Sequence, residues 1–219
     1  FPPEMQARMR DKIRHHADIL YRFTVLQKAY WPDTTMEAHG LGGWLGLATA
    51  AACLYGKIPE ARVWLDWCYG NFLRNAGFLP RDGFNPWPVF NTQWAVYLLA
   101  LFENMTGSRL LPDNPFFNNY GPLLRNLLAM GILPPMTNSV GGGGLREEVA
   151  VMAYLGERNH DDAVLASAAA GIRAIAAAGA HLPPLALLWA THEPASPPVS
   201  GPVPRTLRTR SGHVATFDA

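Results

Sequence analysis

From residue 3 to residue 29, apolar side chains return at steps close to three and four: Met5, Met9, Ile13, Ile19, Leu20, Phe23 and Leu26. A helix of 3.6 residues per turn gathers such positions on one side, whereas a strand would need alternation by two. The same rhythm continues through the first two-thirds of the chain, interrupted by glycine and proline. It predicts helices over 3–29, 41–55, about 60–76, 90–105, 119–130, 145–156, 159–178 and 184–191. The punctuation agrees with this. Pro2 and Pro3 suit a first turn, where the missing amide is no loss. Trp31-Pro32-Asp33 ends the first segment, Gly56 suits a helix C-terminus, and Thr106-Gly107 closes the fourth helix.

Two textures say how these helices pack. Residues 41–55 and 163–179 are dominated by Gly and Ala, and small faces let helix axes approach closely. The turn over 77–90 is long and aromatic, and loops of that kind are often functional. Helix pairs that recur every ~35 to 45 residues without sequence identity indicate a solenoid-like or toroidal stack. The fold expected is all-α, an incomplete α/α barrel (toroid) of antiparallel helix pairs over 1–192. Residues 193–204 are too rich in proline to be helical and read as a linker. In 205–219, Arg205-Thr-Leu-Arg-Thr-Arg and His213-Val-Ala-Thr-Phe flank Ser211-Gly212 and read as a β-hairpin. A lone hairpin is marginal, so this segment reads as the start of a truncated β-domain.

Composition narrows the function classes. A chain of 219 residues that is 49% hydrophobic and 16% charged can bury one large core. The formal net charge is +1 with both signs interspersed, which lacks the concentrated basic stripe of a nucleic-acid binder. The longest apolar run, Leu45 to Tyr55, is about half the ~20 residues a membrane span requires. Phe1-Pro2-Pro3-Glu4 reads as a mature or trimmed start rather than a signal peptide. Asn104-Met105-Thr106 matches a glycosylation sequon, relevant only in a eukaryotic secreted protein. Cys53 and Cys68 sit in apolar helical stretches and read as two buried free thiols, with a bridge between neighbouring helices as the alternative.

HExxH, paired CxxC, Walker and GxSxG motifs are all missing. Gly141 to Gly144 reads as a flexible loop, and His15-His16 as a solvated or partly buried surface pair whose members point apart. Asp161-Asp162 after Asn159-His160 suits a helix start, where carboxylates favour the dipole. The segment from Asp33 to Trp44 differs: it puts His39 beside Gly40 at the mouth of a small-residue helix. An imidazole there can act as a general base or neutralise a carboxylate, and it can equally be a structural histidine bound to a neighbouring carbonyl. In the aromatic turn, Trp87, Phe90 and Trp94 offer flat faces for sugar rings. Arg81, Asn85, Asn91 and Gln93 offer hydrogen bonds and one cation. That mixture suits an anionic saccharide and equally the core of a helix junction.

Ala38-His39-Gly40, the run Gly46-Leu-Ala-Thr-Ala-Ala-Ala-Cys-Leu-Tyr-Gly and Ile58-Pro-Glu-Ala-Arg-Val-Trp-Leu together resemble the heparinase II/III and alginate-lyase superfamily. Asp82-Gly83 with the helix from Phe90 to Gly107 is similar to the family's next element. Arg208-Thr-Arg-Ser-Gly and Ala215-Thr-Phe-Asp-Ala resemble the hairpin that opens its β-sandwich. The resemblance implies a helical toroid followed by a β-sandwich, and β-elimination at a uronic acid. His39 matches the carboxylate-neutralising or base histidine; Ala38 stands where the usual pattern has asparagine. No tyrosine occupies 90–94, and Tyr97, one turn on, is the nearest.

The function expected is therefore a secreted or periplasmic polysaccharide lyase acting on an anionic, uronic-acid-containing polymer or oligosaccharide. His39 and Tyr97 are the catalytic candidates. Glu37, Trp44, Arg81, Asn85, Trp87, Asn91, Gln93 and Trp94 are the substrate contacts. The helical part requires no cofactor or metal ligand set; a structural metal would belong to the β-domain. The alternatives are a glycoside hydrolase using carboxylates among Asp33, Glu37 and Asp82, and a non-catalytic glycan-binding module. A toroid with helix N-termini on one rim makes a geometric demand. The His39 side chain should be partly exposed and within roughly 10 to 12 Å, about one helix spacing, of Asn91 or Trp94.

Overall fold

The computed structural model describes residues 1–27, 38–81, 83, 89–129, 146–177, 179, 206–208 and 214–216. Among them are seven α-helices: α1 Pro3–Tyr21, α2 Ala38–Leu54, α3 Glu60–Ala76, α4 Val89–Thr106, α5 Pro115–Ala129, α6 Arg146–Asn159 and α7 Asp162–Ala177. A π-turn over Arg22–Leu26 extends α1, closed by the Gln27 amide on the Arg22 carbonyl at 2.9 Å. Two short strands, β1 Thr206–Arg208 and β2 Val214–Thr216, pair antiparallel with Leu207 opposite Ala215. The helix expected over 184–191 and the Gly141–Gly144 loop lie outside the described residues. The chain divides into two compact units, Phe1–Leu79 with Phe90–Leu110, and Pro80–Val89 with Leu111–Ala219.

In the first unit, contacts along the helices fix their directions. Thr24 lies beside Gly43, Leu20 beside Gly46, and Ile13 lines the same groove as Cys53, so α1 and α2 run antiparallel. Arg14 meets Glu60 and Tyr21 meets Trp64, so α3 returns in the direction of α1. Gly56 ends α2 in the left-handed conformation (φ 72°), with the Lys57 amide on the Leu54 carbonyl at 2.9 Å. Leu47, Leu54, Trp64, Phe72, Leu98, Leu99 and Phe102 fill the core. Phe102 takes Tyr69 edge-on at 5.2 Å and Phe72 at 5.5 Å, which fastens α4 to α3. Each fully buried side chain of this size contributes about 1.5–3 kcal/mol.

The second unit repeats the antiparallel plan. Asn159 Nδ2 donates to the Phe117 carbonyl at 2.9 Å, and Gly121 faces Leu155, so α5 and α6 oppose each other. Gly156 lies against Leu165 and Gly171 against Val149, so α6 and α7 do the same. The α6–α7 approach depends on its glycines: a Cβ on Gly171 would stand 2.5 Å from Val149 Cγ1. The expected break between these helices at 156–159 falls later, at His160 (φ 55°), because α6 keeps its last turn. Asp161 then caps α7, its Oδ1 accepting from the Val164 amide at 3.0 Å, the role anticipated for this acidic pair. α5 starts four residues before the expected 119, where Asn114 Oδ1 accepts from the Phe116 amide at 3.0 Å and Pro115 takes the first helical position.

Candidate functional site

The backbone of His39 is in the first turn of α2. One turn on, Gly42 touches α4: a Cβ there would stand 3.0 Å from Trp94 Cζ3 and 3.2 Å from its Cη2. The absence of a side chain at 42 thus lets the indole lie directly on the α2 backbone. Trp94 is half-buried and, with Gly42, lines a groove of about 490 Å³. Its other lining residues are Ile13 of α1 and Leu45, Gly46, Thr49, Ala50 and Cys53 of α2. Tyr97, three residues beyond Trp94 on α4, is also half-buried.

The remaining expected contacts are distributed differently. Trp44 is 2% exposed, its ring edge-on to Trp67 at 6.1 Å and its carbonyl facing Cys68 Sγ at 3.8 Å. Gln93 is 4% exposed. The structure therefore gives Trp44 and Gln93 to the packed interior of the first unit rather than to a solvent-facing surface. The reason is helical phase: Trp44 lies on the α2 face opposite Gly42 and Gly46, and that face meets α3. Arg81 belongs to the second unit, where its side chain is exposed and its carbonyl accepts from Asn119 Nδ2 at 2.7 Å. The side chains of His39, Phe90 and Asn91 lie outside the described residues, as do Asp33, Glu37, Asp82, Asn85 and Trp87. The distance from His39 to Asn91 or Trp94 expected above involves one of them and so is not defined by the described residues.

One polar cluster escaped sequence reasoning. Asp11, Arg14, His15, Asp18 and Arg22 of the first helical segment surround a basin of about 370 Å³ with Glu60 and Trp64 of α3. Arg22 Nε pairs with Asp18 Oδ2 at 2.8 Å, and Arg14 pairs with Glu60. Hydrogen bonding from its own backbone amide, and next the Arg14 guanidinium, hold the Glu60 carboxyl below its ordinary range. Only the Asp18–Arg22 pair, spaced four apart, was legible from sequence. Arg14 and Glu60 pair across the α1–α3 interface while Asp18 and Arg22 pair along one segment, and among the described residues no group of three or more His, Cys, Asp or Glu is placed to hold a metal ion.

The two cysteines are both free, but only Cys68 is buried; burial pushes its thiol well above the usual range. Cys53 is exposed, which corrects the expectation that both would be buried. It lies on the groove side of α2, away from the face that meets α3. No described helix is long and apolar enough to cross a membrane. Comparison of the chain with known protein families, curated proteins and solved structures finds no match.

Proposed function

We propose that the chain carries the helical part of a polysaccharide lyase that cleaves a uronic-acid-containing polymer by β-elimination. The observation that carries the reading is the contact of Gly42 with the Trp94 ring. It puts the head of α2, with its His39 step, beside the stretch of α4 that bears Trp94 and Tyr97. In this reading the seven helices belong to an α/α toroid, and the β1–β2 hairpin opens a β-sandwich. The protein works outside the cytoplasm, in a secreted or periplasmic setting, without a cofactor in the helical part.

His39 hydrogen-bonds the C5 carboxylate of the uronate, which stabilises negative charge developing at C5. A base removes the C5 proton, the C4–O bond breaks, and a C4–C5 double bond forms. Tyr97 returns a proton to the leaving glycosidic oxygen. Trp94 supplies a flat apolar face for a sugar ring at the same place.

The test is incubation of the full-length protein with a panel of uronic-acid polymers while the ultraviolet absorbance of unsaturated uronate is followed. His39→Ala and Tyr97→Phe are each expected to lower that rate by ~10²-fold or more, the range for loss of a positioned acid, base or charge-stabilising donor. New reducing ends without unsaturation would replace the lyase with a hydrolase. Saccharide binding without any product would leave a binding module.

A further inference from the structure

Seven of the eleven large hydrophobic side chains exposed in the described residues belong to the first helical segment and its leading residue: Phe1, Met5, Met9, Ile13, Ile19, Phe23 and Leu26. Exposed apolar side chains gathered on one segment in this way mark an interaction site. Positions 5, 9, 12, 16 and 19 step alternately by four and three, so they draw one line along α1, and positions 23 and 26 follow it in the π-turn. The line reads Met, Met, Lys, His, Ile, Phe, Leu. Lys12 falls on it, Arg8 flanks it, and neither has an ion-pair partner among the described residues. The acids are elsewhere: Glu4, Asp11 and Asp18 recur at sevens on a different line, and Asp11 and Asp18 face the basin shared with Glu60. The segment thus has three sectors: the core-facing one with Ala17 and Thr24, one of mixed charge toward α3 where Arg14 and Arg22 are already ion-paired, and an outward one that is apolar with Arg8 and Lys12.

We propose that this outward face of α1 docks on an anionic lipid bilayer, lying in the plane of the headgroups. Charge and apolarity together select that partner. Apolar side chains on one face with Lys and Arg among them are what lets a helix sink its side chains below the headgroups while its cations meet lipid phosphates. A hydrated polyanion would answer Arg8 and Lys12 but leave the exposed Met5, Met9 and Ile19 without a counterpart. A helix of a second copy would place Lys12 and His16, at the middle of the line, inside a dry seam against their own kind. The face extends about 30 Å, given 1.5 Å per residue, and it adds membrane attachment to a chain in which no described helix is long and apolar enough to span a bilayer.

Cosedimentation of the full chain with vesicles of phosphatidylcholine, alone or mixed with phosphatidylglycerol, tests this. Binding is expected to the anionic vesicles only and to weaken with added salt. Arg8→Gln with Lys12→Gln should lower the partition coefficient about 30-fold. Met5→Ser with Met9→Ser should lower it at least tenfold, at unchanged helix content by circular dichroism, since both side chains are exposed. To locate the contact, an environment-sensitive dye at Met9→Cys in a Cys53→Ser background should shift to the blue on anionic vesicles. Equal binding to neutral vesicles, no binding to either, or a dye shift produced by a soluble polyanion or by self-association without vesicles would each overturn the proposal. None of these readouts depends on lyase activity.

Discussion

Gly83 is where backbone conformation and packing press on the same atom. It is buried, with φ 79°, and its amide donates to the Pro80 carbonyl at 3.1 Å. A Cβ placed there would stand 2.9 Å from both the backbone N and Cα of Tyr120 and 3.0 Å from the carbonyl carbon of Asn119. Carbon atoms in comfortable contact are roughly 3.5–4.0 Å apart. The obstacle is helical backbone in α5, which has no rotamer to change. Gly83→Ala therefore combines the left-handed penalty of about 1–2 kcal/mol with an overpacking cost of about 1–3 kcal/mol. The total, roughly 2–5 kcal/mol, is a large share of a typical domain's stability of about 5–15 kcal/mol. Gly179 is the matched control within the same unit: φ is 67°, but nothing lies within 4 Å of its added Cβ. Gly179→Ala should show the conformational penalty alone. Urea unfolding followed by far-ultraviolet circular dichroism measures both, and Gly83→Ala should cost about 1–3 kcal/mol more. Equal losses for the two variants would refute the steric argument and the α5 contact on which it stands.

Thiol labelling and acid titration probe the first unit. In native protein, maleimide should add once, at exposed Cys53; a second adduct, at Cys68, should appear only on unfolding, and two adducts at equal native rates would contradict the burial described here. The lowered pKa of Glu60 has a definite sign in stability. Its contribution is present above the unfolded carboxyl value and is lost as pH falls through the folded one. The gap in denaturation midpoint between wild type and Glu60→Gln should accordingly close on acidification through the glutamate range. A gap that is the same at every pH would show that the Glu60 interactions do not depend on its charge.

Much of the helical plan could be read without a structure because its signals are local. Apolar spacing placed most of the helices, Gly56 ended one, and Asp161 began another, since caps and propensities act within a turn or two of their own residue. Asn114-Pro115 was an equally local start for α5 that the apolar spacing alone did not use. The candidate site was legible only as residue types. Trp44 and Trp94 looked alike as aromatic faces, yet one is interior and the other lines a groove, and the difference arises from which neighbour each helix meets.

The first helical segment shows most clearly what sequence alone could not decide. Its apolar spacing predicted a helix, and the segment is helical, but Met5, Met9 and Ile19 are exposed while Ala17 and Thr24 are buried. The partner explains this. α2 presents Gly43 and Gly46 to α1, and the missing side chains let the axes approach where Thr24 and Leu20 stand against them. Sequence determined that these residues form a helix, because each turn's hydrogen bonds close within four or five residues. Which side of that helix became interior was decided by the shape of a surface some twenty residues away in the chain, and only the tertiary fold brings that surface into contact.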